Sequence, residues 1–124
     1  MEIQYNGTTL EEIKLELVKE SAIYSKVGFL TGKKEGEVVS IEGVYVPEQI
    51  STHHNTFLLN GALARDIKLI EETGKFLVGI IHYVGNLECD DTTVKIYKER
   101  VCKELNEKDL VGIVLNARGE CKSI

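Results

Sequence analysis

The side chains best suited to chemistry gather around one short stretch. His82 stands near the end of the most apolar run, Phe76-Leu77-Val78-Gly79-Ile80-Ile81-His82-Tyr83, and Asp90-Asp91 follow after a loop. A His at a strand end and a carboxylate at a helix start can point into one cleft. Neutral imidazole and carboxylate suit Zn²⁺, and a third protein ligand would leave the fourth position open to water. Plainer roles stand beside this one. A strand-end His can hydrogen-bond a neighbour, and Asp90 or Asp91 can cap a helix, worth about 1 kcal/mol. His53-His54 lie side by side in a polar stretch, where solvent exposure is the ordinary outcome. Cys89, in the loop after His82, is the one thiol placed to react; Cys102 and Cys121 read as packing or surface thiols.

The elements that must position these groups follow from periodicity. Thr9-Leu10-Glu11-Glu12 has the form of a capping box, and Leu10, Ile13 and Leu17 recur at helical spacing, predicting a helix over Leu10–Tyr24. Val27–Gly32 and Glu37–Val46 read as two strands of a hairpin around the polar turn Lys33–Gly36, the second stopped by Pro47. Glu48–Phe57 reads as loop. Leu59, Leu63, Ile67 and Ile70 predict a helix over Asn60–Glu72, ended near Gly74. Phe76–Tyr83 suits a strand buried on both faces. Val94, Tyr97, Val101 and Leu105 mark a third helix, its charged residues Lys95, Lys98, Glu99, Arg100, Lys103 and Glu104 forming the wet face. Leu110–Asn116 reads as a buried strand, and Ala117–Glu120 turns the chain into a short strand over Cys121–Ile124. The order α-β-β-α-β-α-β-β predicts an α/β class fold: a mixed α+β sheet with helices on its faces.

Three patches in that order resemble a known family. Gly28-Phe29-Leu30-Thr31-Gly32-Lys33, then Ile41-Glu42-Gly43-Val44-Tyr45-Val46-Pro47-Glu48-Gln49, then Val78-Gly79-Ile80-Ile81-His82 are similar to the MPN/JAMM domain, over roughly Ser21 to Asn116. The resemblance implies a cytidine-deaminase-like sandwich and a family of zinc-dependent isopeptidases with catalytically silent scaffold relatives. An active member carries His-x-His-Pro, then ten residues with a Ser near their end, then Asp. His82 matches the first His, but Val84 stands at the second and Gly85 at the Pro. Asp91, with Asp90 as the alternative, matches the Asp across a loop that is four residues short. The oxyanion Ser has no clear counterpart. Ser25 stands where the general-base Glu would be, and Ser has no pKa suited to taking a proton from metal-bound water.

With one ligand and the base replaced, the resemblance implies a pseudoenzyme. The expected function is a non-catalytic interaction or scaffold module that forms a homodimer or pairs with a partner subunit, and binds ubiquitin-like proteins or short peptides without cleaving them. No cofactor is expected and no catalytic residue is assigned. The alternative is a zinc isopeptidase or peptidase with a rearranged site. Its metal ligands would be His82, Asp91 and one of His53, His54, Glu88 or Cys89, and Glu20 or Glu48 would act as a displaced base.

Composition sets outer bounds. The 124 residues make one domain, 1–124, minimal for this family and expected to be short at its C-terminus. Fifteen Lys and Arg against 20 Asp and Glu give a net charge of −5, which argues against nucleic acid as a partner. No apolar run nears the ~20 residues of a membrane span, and Met1–Gly7 has no signal-peptide pattern. Three widely spaced Cys suit reduced thiols, so the expected location is cytoplasmic. No Gly-rich phosphate motif or Gly-x-Ser-x-Gly nucleophile appears.

Overall fold

A computed structural model describes residues 2–51, 56–58, 62–87 and 89–124. The elements are β1 (Glu2–Tyr5), α1 (Leu10–Leu17), β2 (Lys26–Glu35), β3 (Val38–Tyr45), β4 (Gln49–Ser51), β5 (Thr56–Leu58), α2 (Ala62–Glu72), β6 (Phe76–Tyr83), α3 (Thr92–Leu105), β7 (Val111–Leu115) and β8 (Cys121–Ser123). Six strands form one mixed sheet in the order β1-β3-β2-β6-β7-β8, and β4-β5 make a separate two-stranded ribbon. β1 runs parallel to β3 and β6 parallel to β7; the other neighbours in the main sheet are antiparallel.

The sheet separates two apolar clusters. On one face, Ile67 and Ile70 of α2 and Val94, Tyr97 and Val101 of α3 pack on Val27, Phe29, Ile80 and Val114. On the other, Ile13 and Leu17 of α1 pack on Leu30, Ile41, Ile81, Tyr83 and Ile113. This is the expected α+β sheet with helices on its faces, with the central strands β6 and β7 buried as their apolar runs predicted.

Four expectations need correction. α1 stops at Leu17, not Tyr24. The helical apolar stripe ends there, and Ser21 Oγ then accepts the Ile23 N–H at 3.3 Å, a local bond that competes with helix. Its N-terminus is capped as expected, the Glu12 N–H donating to Thr9 Oγ1 at 3.2 Å. β2 continues through Lys33-Lys34-Glu35, so the turn narrows to Gly36-Glu37, with Gly36 at φ +60°. Residues Glu2–Tyr5 form an edge strand that was not anticipated. The stretch taken as loop over Glu48–Phe57 holds β4 and most of β5.

Among the described residues no helix is long and apolar enough to cross a membrane.

Candidate functional site around His82

His82 sits in the middle of the sheet, opposite Val27 of β2 and Val114 of β7. Alternation along β6 turns its ring to the α2–α3 face, with Ile80 and Val84. It is 1% exposed, and among the described residues neither Nδ1 nor Nε2 has a hydrogen-bond partner. The expectation that this His hydrogen-bonds a neighbour is therefore overturned: its sheet neighbours offer only aliphatic side chains. Burial strips water from the charged form and lowers the pKa to about 4, while the negative charge of Asp90 pulls the other way. The ring is neutral at pH 7.

The two carboxylates after the loop are occupied. Asp90 Oδ1 accepts from the Thr92 N–H at 3.0 Å and the Thr92 hydroxyl at 2.7 Å, capping the first turn of α3. Those hydrogen bonds hold the Asp90 carboxyl below its ordinary pKa. Asp91 makes no side-chain cap; its Oδ2 pairs with Lys95 Nζ at 3.2 Å and Lys122 Nζ at 3.3 Å. Hydrogen bonds from these two ammonium groups lower the Asp91 pKa in turn. The capping role thus falls to Asp90, and Asp91 joins α3 to β8.

The family positions of the other active-site groups hold packing residues. Val84 is buried in the α2–α3 cluster. Ser25 is fully buried. Gly85 lies against the backbone of the α1–β2 connection, where any Cβ would overlap the Ile23 carbonyl, so a Pro at this place would collide. The Tyr83 hydroxyl donates to the Ala22 carbonyl at 2.6 Å and fastens the same connection to β6. Glu20 and Glu48 line a groove of about 650 Å³ whose lining does not include His82, and Glu20 pairs with Lys26 at 3.4 Å.

His53, His54 and Glu88 fall outside the described residues. Among those described, no three His, Cys, Asp or Glu side chains come together as a metal-binding group. Cys89 packs against the α2–α3 cluster, its sulfur 3.5 Å from Asn116 Nδ2.

Three side chains that organise this region escaped sequence reasoning. Gln49 reaches back to β2: its Oε1 accepts the Val27 N–H at 2.7 Å and its Nε2 donates to the Val27 carbonyl at 2.9 Å. The carboxamide thus takes the place of a peptide unit beyond Pro47, and Pro47 ending a strand was the available signal. Asn116 is buried at the end of β7. Its Oδ1 accepts from the N–H groups of Arg118 and Glu120, both at 3.0 Å, and its Nδ2 donates to the Leu87 carbonyl at 3.1 Å. Asn before Ala117-Arg118-Gly119 was the turn signal here. Buried Asp66 of α2 accepts the Tyr45 hydroxyl at 2.9 Å.

The protein is thus of mixed α+β architecture, one six-stranded sheet faced by three helices. No protein-family model matches the chain, and no curated protein matches it. It is similar in fold to the solution structure of protein DSY2949 from Desulfitobacterium hafniense, with a TM-score of 0.67 and 17% identity over 98% of this chain and 82% of that one.

Proposed function

We propose that the chain is a degenerate MPN/JAMM-like domain, of the cytidine-deaminase-like sandwich type, that acts in the cytoplasm by binding rather than cutting. It forms a homodimer or pairs with a partner subunit, and ubiquitin-like proteins are the partner class the resemblance suggests. The observation that carries this reading is His82. A catalytic zinc must lie open to water and substrate, whereas this imidazole is 1% exposed between Val27 and Val114, and buried Val84 stands at the second His position. Ser25, fully buried, supplies no base.

A second reading keeps one observation in its favour: two unpartnered ring nitrogens are what a metal ligand presents without its metal. That reading is a zinc isopeptidase built on His82 and Asp91 with a rearranged third ligand.

Zinc analysis separates the two. Wild-type protein and His82→Ala, each incubated with micromolar zinc and desalted, are expected to carry equally little metal. Stoichiometric zinc that vanishes in His82→Ala overturns the binding-only reading. Sedimentation equilibrium and a calorimetric titration with ubiquitin test the positive half. A chain that stays monomeric and takes up no ubiquitin removes the support for a scaffold.

A further inference from the structure

The second half of β3 is an open sheet edge with a hollow on each face. β1 pairs with β3 only over Val38–Ile41, so from Glu42 to Tyr45 the strand has β2 on one side and, among the described residues, no strand on the other. The peptide groups there have a definite direction. Val27 turns both its N–H and its C=O toward Gln49. By the alternation of an antiparallel ladder Phe29 turns its own toward Tyr45, so Val44 presents its N–H and C=O outward.

Beside this edge, on the α1 face, runs the groove of about 650 Å³, lined by Leu17, Val46, Pro47 and Ile50 with charged residues among them. On the α2 face a hollow of about 310 Å³ is lined by Gly43, Val44, Tyr45, Leu69 and Ile70. A strand added to the edge sends alternate side chains to the two faces. The charges select the partner further. Lys19 pairs with Glu16 at 4.0 Å and Lys26 with Glu20 at 3.4 Å, which leaves Glu48 as the rim charge with no ion pair among the described residues. Lys75, on the other rim, pairs with Glu42 at 3.8 Å.

We infer that the open half of β3 docks an extended segment of a partner protein, with aliphatic residues in alternation and a basic residue that meets Glu48. This rests on the domain being a binding module and names the kind of segment it takes.

The test uses the whole chain and a blocked hexapeptide of alternating valine and lysine, followed by amide NMR. The expected result is a saturable shift at Val44 and Val46 with slowed exchange of the Val44 N–H. Methylating alternate peptide nitrogens of the hexapeptide should weaken binding about tenfold, the worth of a hydrogen bond or two. Val44→Pro removes the outward N–H without touching the β2 ladder and should abolish binding. Should Val44→Pro fail to fold, Glu48→Lys, exposed and outside the ladder, is expected to weaken the lysine peptide and favour a glutamate one. Shifts absent at millimolar peptide, or indifferent to N-methylation, overturn the proposal. Self-association that perturbs Val44 also overturns it, because a second copy then fills the edge. Ubiquitin binding that spares Val44 refutes this docking site while leaving the scaffold reading standing.

Discussion

Replacing His82 by leucine isolates what one buried imidazole costs. In the folded chain its pKa is about 4 against an ordinary 6.5, chiefly because burial disfavours the charged ring. As pH falls below 6.5 the unfolded chain takes up a proton that the folded chain refuses until about pH 4. The unfolded state then binds more protons, so stability falls as pH falls. Across that gap, at about 1.4 kcal/mol per pH unit, the loss reaches about 3 kcal/mol. Asp90 and Asp91, whose pKa values are lowered, contribute stability that is lost only below about pH 4. Their window is therefore separate. His82→Leu should remove the loss between pH 6.5 and 4. At pH 7 it also deletes two buried polar atoms without partners, each costing about 1–3 kcal/mol. The variant is thus expected to equal or exceed the wild type. Urea denaturation of both proteins from pH 4.5 to 7.5 measures the difference, in which the remaining histidines cancel. Parallel stability curves, or a variant several kcal/mol weaker at pH 7, would refute the reasoning.

Other substitutions probe the groups that hold the site's surroundings. Gln49→Leu strands the N–H and C=O of Val27 and should cost about 2–4 kcal/mol in chemical denaturation; a loss under 0.5 kcal/mol would deny the carboxamide its place in the sheet. Asn116→Ala frees the N–H groups of Arg118 and Glu120 and the Leu87 carbonyl, with an expected loss of about 2–3 kcal/mol, read as a lower melting temperature. Gly85→Ala forces a Cβ into the Ile23 carbonyl and should destabilise by about 1–3 kcal/mol; an unchanged melting temperature would show that the connection yields freely.

The central strands were legible because their apolar runs are long. Phe76–Tyr83 and Leu110–Asn116 carry enough Ile and Val to mark strands buried on both faces. α3 was legible from the spacing of Val94, Tyr97 and Val101, all three of which are buried. The edge strand Glu2–Tyr5 was not, since it is short and mostly exposed and so carries no burial pattern. α1 is shorter than its sequence suggests because the stripe of Leu10, Ile13 and Leu17 ends at Leu17; beyond it Ser21 bonds locally to the Ile23 N–H, and the Tyr83 hydroxyl, distant in sequence, holds the Ala22 carbonyl. At the candidate site the type and strand-end position of His82 were readable. Its lack of any partner was not, because that depends on aliphatic neighbours from β2 and β7 that lie far away in sequence. The roles of Gln49 and Asn116 were hidden for the same reason: a carboxamide declares its partners only once the chain is folded.

Gln49 gives the sheet two kinds of fastening. Where backbone pairs with backbone, releasing an N–H means parting two strands. At Val27 one side-chain rotation is enough. Val27 lies directly opposite His82 across the β2–β6 ladder. A peptide held by a side chain rather than by a neighbouring strand therefore lies next to a buried imidazole. Amide exchange at Val27 should follow a shallow local opening while its ladder neighbours wait for global unfolding.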